Sequence, residues 1–227
     1  MIDPKIIVAI DTYKSSDAIA LLDQLNPGLC KVKIGSVTFN SLGKDFLNLV
    51  DQRGFKIFLD LKLHDIPNTV HETILGFADC NIELFTIHLS GGKEMIASAI
   101  SAAKIINTKI IGVSVLTSLS NRDSKELFRN TAADQTAQLF KLASETGIHG
   151  IVCSPLELGL AQELLSPNIL KITPGIRETA TNDDQSRTMT AKEAIQNGAS
   201  FLVIGRPISQ AISISEALKY FTQSIDE

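Results

Sequence analysis

The chain has 227 residues, 44% of them hydrophobic and 20% charged, which is enough for one large core and ordinary for a soluble globular protein. A formal net charge of −4 and a pI near 5.6 argue against bulk binding to nucleic acid or to an anionic membrane, so any anion has to be held by a local cluster. The apolar run after Lys5 is cut by Asp11, and Cys30, Cys80 and Cys153 show neither CxxC nor zinc-type spacing. Neither a signal peptide nor a membrane span is expected, and a cytoplasmic protein with reduced thiols is.

In chain order, short β-branched runs alternate with longer amphipathic stretches. The runs predict strands at Lys5–Ile10, Leu29–Ile34, Lys56–Leu61, Leu84–Leu89, Lys109–Leu116, Gly150–Cys153, Leu170–Thr173 and Phe201–Ile204. Apolar residues at three- and four-residue spacing predict helices at Asp17–Leu25, Phe39–Asp51, Thr69–Cys80, Lys93–Ile106, Ala132–Thr146, Leu156–Leu165, Ala191–Asn197 and Ser209–Thr222. Gly147 and Gly198 stand where helices should stop. Strand–helix alternation without a composition break implies a parallel sheet, and eight units imply an α/β protein with a single (β/α)8 TIM-barrel domain over 1–227. A doubly wound open sheet is the alternative. It would want a Gly-rich fingerprint after the first strand, where the chain reads Ile10-Asp11-Thr12-Tyr13-Lys14.

Reactive groups of such barrels gather at the carboxyl ends of the strands. Those positions are almost all polar: Asp11, Lys33, Asp60 with Lys62, His88 before Ser90-Gly91-Gly92, Thr117-Ser118, Ser154, Pro174-Gly175-Ile176-Arg177, and Gly205-Arg206. Asp60 and Lys62 share one side by strand alternation, with Phe58, and follow a hydrophobic run. Desolvating that pair costs several kcal/mol per ion unless each finds partners. It reads either as chemistry or as a buried salt bridge closing the strand. Taken singly, Asp11 could cap a helix, and His88 and Ser154 read as structural, the latter as an N-cap. Gly205 allows close backbone approach, Arg206 offers a planar fork, and Pro207 can open the next helix, whose N-terminus attracts phosphate. The polar stretch from Pro174 to Met189 has the composition of a mobile lid.

Asp60-x-Lys62-x-x-Asp65-Ile66-Pro67-Asn68-Thr69, together with Ala9-Ile10-Asp11, Lys31-Val32-Lys33-Ile34-Gly35, Leu116-Thr117-Ser118, Thr173-Pro174-Gly175-Ile176-Arg177, Asp184-Gln185 and Ile204-Gly205-Arg206-Pro207, resembles bacterial orotidine 5′-phosphate decarboxylases from the first strand to the last. The DxKxxD core is shared with a wider group of barrel enzymes, including 3-keto-L-gulonate 6-phosphate decarboxylase and hexulose phosphate synthase. The Ile-Pro-Asn-Thr continuation and the Pro-Gly-Ile-Arg loop are more specific. The resemblance implies decarboxylation of orotidine 5′-monophosphate to UMP, the last step of de novo pyrimidine synthesis, with no metal and no organic cofactor.

It also implies roles for residues. Lys62 would stabilise charge at C6 and donate the proton, with Asp60 positioning it and Lys33 extending the charge network. Asp11 and Lys33 would bind ribose hydroxyls, Thr117 or Ser118 the pyrimidine edge beside Pro174, and Arg206, Gln185 and the Gly205 amide the 5′-phosphate, while Arg177 would organise the lid. The family forms homodimers in which Asp65 and Thr69 reach the partner's site. His64 is left out, since alternation turns it to the other face. The rival readings are a Mg-dependent sugar-phosphate lyase or aldolase of the same barrel group and a non-catalytic phosphate-binding barrel.

Overall fold

The computed structural model describes residues 3–178 and 188–226. Within them, eight parallel strands close into a barrel in sequence order: β1 Ile6–Ile10, β2 Cys30–Gly35, β3 Ile57–Leu63, β4 Ile82–His88, β5 Lys109–Val113, β6 Gly150–Val152, β7 Leu170–Thr173 and β8 Phe201–Ile204. Closure is made by β8 pairing with β1, Leu202 opposite Ile6 and Ile204 opposite Val8. The helices are α1 Ser15–Leu22, α2 Ser36–Gln52, α3 Pro67–Leu75, α4 Gly92–Ile106, α5 Asn121–Phe128, α6 Ala132–Thr146, α7 Leu158–Leu164, α8 Ala191–Gln196, α9 Arg206–Ser209 and α10 Ile214–Asp226.

Strand alternation sorts the hydrophobic residues into two cores. On β1, Ile7 and Ala9 point into the barrel with Phe58, Leu84, Ile111, Ile172, Phe201 and Val203. Ile6, Val8 and Ile10 point outward, into the layer between strands and helices that also takes Leu22, Leu47, Ile74, Met95, Phe140 and Leu218. The inward set turns charged at both ends. At the amino end Lys31, 1% exposed, meets Asp3 at 2.9 Å and Glu83 at 2.6 Å. At the carboxyl end the next inward residue of β2, Lys33, enters the site described below.

Several boundaries differ from the sequence reading for local reasons. β5 stops at Val113 rather than Leu116, three residues after which a polar turn begins. Helix α3 starts two residues early because Pro67 occupies its first turn, where the missing N–H costs nothing. Helix α5 carries no apolar period to find; it is nucleated by a capping box in which Ser120 and Asp123 satisfy each other's backbone N–H groups. The helix expected over Ser209–Thr222 instead begins at Ile214 as α10, and the single turn α9, with Pro207 at its second position, ends at Ser209 before it.

Candidate active site

The cavity at the carboxyl ends of the strands is lined from β2, β3, β5, β6 and β8 and from the segments that follow β5, β6 and β7. Past Ile7 and Ala9, β1 presents Asp11; β2 presents Lys33; β3 presents Asp60 and Lys62 after Phe58. These four join in a row of alternating charge. Asp11 Oδ1 lies 3.1 Å from Lys33 Nζ, Lys33 Nζ lies 3.7 Å from Asp60 Oδ2, and Lys62 Nζ donates to both Asp60 oxygens at 2.8 Å. Gly35 makes room for this: a Cβ there would stand 3.0 Å from Lys33 Nζ and 3.3 Å from Asp11 Oδ1. The Asp60 side chain is 12% exposed and Lys33 13%, whereas Asp11 at 57% and Lys62 at 37% reach the cavity mouth.

Burial pushes the Asp60 carboxyl up, but the Lys33 and Lys62 charges and the hydrogen bonds from Lys62 and Thr86 outweigh it, so its pKa falls below the ordinary 3.8. The site therefore keeps a buried anion flanked by two ammonium groups. Lys62 is not a regular strand residue. Its φ of 52° is left-handed, and the pairing of β3 with β4 slips between Leu59 and Leu63. The expected shared face of Asp60 and Lys62 is thus reached through a bulge rather than through alternation.

The cavity over this pair is lined by Phe58, Val113, Val115, Leu116, Val152, Pro174 and Val203, with Thr117, Ser154 and Glu157 adding polar groups. Ser118 is exposed beside Thr117. Ser154, read from sequence as an N-cap, stands at that position before the 3-10 turn Pro155–Glu157. The Glu157 N–H donates to the Ser154 carbonyl at 3.0 Å, and the buried Ser154 Oγ has no hydrogen-bond partner among the described residues. Glu157 Oε2 instead accepts from the Ser154 N–H at 2.8 Å.

Arg177 is 8% exposed; its backbone N–H donates to the Met189 carbonyl at 3.0 Å and its Nη1 to the Ile176 carbonyl at 2.8 Å. Gly205 follows β8, and its carbonyl accepts from Ile208 and Ser209 N–H groups, both at 2.9 Å, turning the chain so that the exposed Arg206 opens α9. Gln185 lies outside the described residues. Asp65 and Thr69 are exposed on the rim after β3 and do not line the cavity of their own chain, and Ile66 between them is 66% exposed. His64 follows the end of β3, and its ring centroid lies 5.4 Å from that of half-buried His88, whose pKa is lowered by burial and by the neighbouring His64 and Lys62 charges. Thr86, which contacts both Asp60 and Lys62, went unnoticed in the sequence, because a threonine in an apolar strand reads as ordinary strand composition.

Fold and site together define a (β/α)8 barrel with a charged cavity at the carboxyl ends of its strands. The family model described as Orotidine 5'-phosphate decarboxylase / HUMPS family matches residues 4–221, and the chain belongs to that family. It is 41% identical over 229 residues to an orotidine 5'-phosphate decarboxylase of Coxiella burnetii, covering 98% of this chain and 97% of that one. It is 38% identical over 228 residues to one of Actinobacillus succinogenes, covering 98% of each. The crystal structure of orotidine 5'-phosphate decarboxylase from Lactobacillus acidophilus superposes with a TM-score of 0.89 at 33% identity, covering 99% of this chain and 100% of that one.

Proposed function

We propose that the protein decarboxylates orotidine 5′-monophosphate to UMP, the closing step of pyrimidine nucleotide synthesis, with Lys62 as the group that stabilises the carbanion and protonates it. Family membership supports the overall reaction. The observation that carries the finer reading is the Asp60–Lys62 pair, 2.8 Å apart, lining a cavity with Lys33 beside it and Phe58, Val113, Val115, Val152 and Val203 around it.

The bond between C6 and the carboxyl carbon breaks, CO2 leaves, and the electron pair stays on C6, which has no adjacent carbonyl to delocalise it. An ammonium held in the site can stabilise that pair and then transfer a proton to it, leaving a neutral amine that solvent reprotonates to the ammonium. Asp60 orients Lys62. Its ionised carboxylate also stands where the substrate carboxylate would approach, and the repulsion would fade as CO2 departs. Asp11 and Lys33 bind the ribose hydroxyls; Thr117, Ser118 and Pro174 meet the base; Arg206, Gly205 and Gln185 take the phosphate; Arg177 orders the segment over it. Phosphate binding far from C6 can then serve the reaction rather than tighten the ground state alone. Asp65 and Thr69, exposed and outside their own cavity, complete the site of a second copy in a two-fold dimer.

The test is loss of orotidine absorbance and release of CO2 from orotidine 5′-monophosphate in the presence of EDTA. Turnover that survives the chelator is expected. Activity that vanishes with EDTA and returns with Mg2+ would favour a metal-dependent lyase, and UMP binding with no CO2 release would favour a non-catalytic barrel.

A further inference from the structure

We propose that Thr86 is the positioning residue that holds Asp60 and Lys62 in their reactive geometry, an inference that rests on the decarboxylase reading above. Phe85 and Ile87 face the helices and Leu84 faces the barrel interior, so Thr86 faces inward, and it is fully buried. A hydroxyl in that position has to find partners within the protein. Its partners are the two residues of the reactive pair. Thr86 Oγ1 donates to Asp60 Oδ1 at 3.0 Å and accepts from the Lys62 backbone N–H at 2.8 Å. The single hydroxyl proton is committed to the carboxylate and an oxygen lone pair to the amide.

The reason this hydroxyl is needed lies in the register. Leu59 stands opposite Phe85 and Leu63 opposite Ile87, so Asp60, Leu61 and Lys62 all face the one residue between, Thr86. The bulge interrupts the regular ladder, and the left-handed Lys62 would relax toward an extended conformation if its N–H had no fixed acceptor. Thr86 supplies that acceptor from a β-branched side chain with few χ1 alternatives. Asp60 then has Lys62 Nζ on both oxygens and Thr86 on one, and it cannot turn without breaking a buried hydrogen bond. Thr86 does not line the cavity, so it acts on the reaction through these two residues.

Proton delivery to one carbon tolerates little misplacement, whereas phosphate and ribose contacts do not depend on this bulge. Thr86→Val, which keeps the shape and removes the hydroxyl, is therefore expected to lower kcat for orotidine 5′-monophosphate roughly ten- to hundredfold, with KM and the dissociation constant of UMP changed less than about twofold. Thr86→Ser is expected to retain kcat within about threefold. Hydrogen exchange supplies a readout independent of turnover, in which protection of the Lys62 amide is kept in Thr86→Ser and lost in Thr86→Val. Should Thr86→Val fail to fold, Thr86→Ala carries the same expectation without its bulk.

The proposal is overturned if a folded hydroxyl-less variant keeps the unaltered kcat, if Thr86→Ser falls as far as Thr86→Val, or if the loss is in KM and UMP binding instead. Absence of CO2 release from the unaltered protein would overturn the decarboxylase reading itself. Normal release by the unaltered protein together with an indifferent Thr86 would overturn this proposal alone.

Discussion

Asp60 is the residue on which the electrostatics of the site turn. Burial alone would neutralise it, and Lys33, Lys62 and Thr86 keep it ionised with a pKa below the ordinary 3.8. The sign of its contribution to stability follows. A carboxyl whose folded-state pKa is depressed binds fewer protons folded than unfolded near that pH, so its stabilisation is present above about pH 4 and is lost as pH falls through the folded value. Asp60→Asn removes that contribution and leaves two ammonium groups facing each other. It is expected to cost roughly 2 kcal/mol at pH 7 and to flatten the fall of Tm between about pH 5 and pH 3. Calorimetry across that range checks it, and an unchanged slope would show that the carboxylates of the amino end, Asp3 among them with its own lowered pKa, carry the acid sensitivity instead.

Among the elements, the outer layer has a constrained backbone position at Gly43 inside helix α2. Helix α2 breaks there, with φ 65° and ψ −164°, a conformation essentially closed to side-chain-bearing residues. A Cβ would meet nothing within 4 Å, so the penalty of Gly43→Ala is conformational rather than steric crowding. A loss of about 1–3 kcal/mol is expected, read as a lower urea midpoint at constant m-value. A shift below a few tenths of a kcal/mol would mean that the helix can straighten through this point.

Gly43 also shows where sequence periodicity stops being informative: the apolar spacing of Phe39, Phe46, Leu47 and Val50 runs across the break as if the helix were continuous. The same limit hid the bulge of β3. Alternation correctly set Phe58 and Asp60 inward, but a register slip is written in the partner strand, not in the residues that slip. Helix α5 escaped for the opposite reason, since it buries Ser124 alone and is defined by its cap. The strands were legible because inward and outward residues each form a core. The charged mouth was legible because eight successive strand ends were polar together.

At the scale of the molecule the barrel separates two charged ends. Lys31 with Asp3 and Glu83 closes the amino end, and Lys33, two residues along the same strand and the same face, serves the site at the carboxyl end. One strand thus contributes a lysine to each of two ion clusters, kept apart by the layer of Ile7, Phe58, Leu84 and Phe201. In the proposed reading a second copy brings Asp65 to complete the site. If each site takes Lys62 from one chain and Asp65 from the other, mixing Lys62→Ala with Asp65→Ala under subunit exchange should leave about a quarter of all sites intact. Absence of rescue despite verified exchange would place Asp65 in its own chain's site. The most direct measurement is CO2 release from orotidine 5′-monophosphate by Lys62→Ala alone, with UMP binding measured beside it. Turnover is expected to disappear while UMP still binds; substantial turnover by Lys62→Ala would contradict the assignment of carbanion stabilisation and proton donation to Lys62.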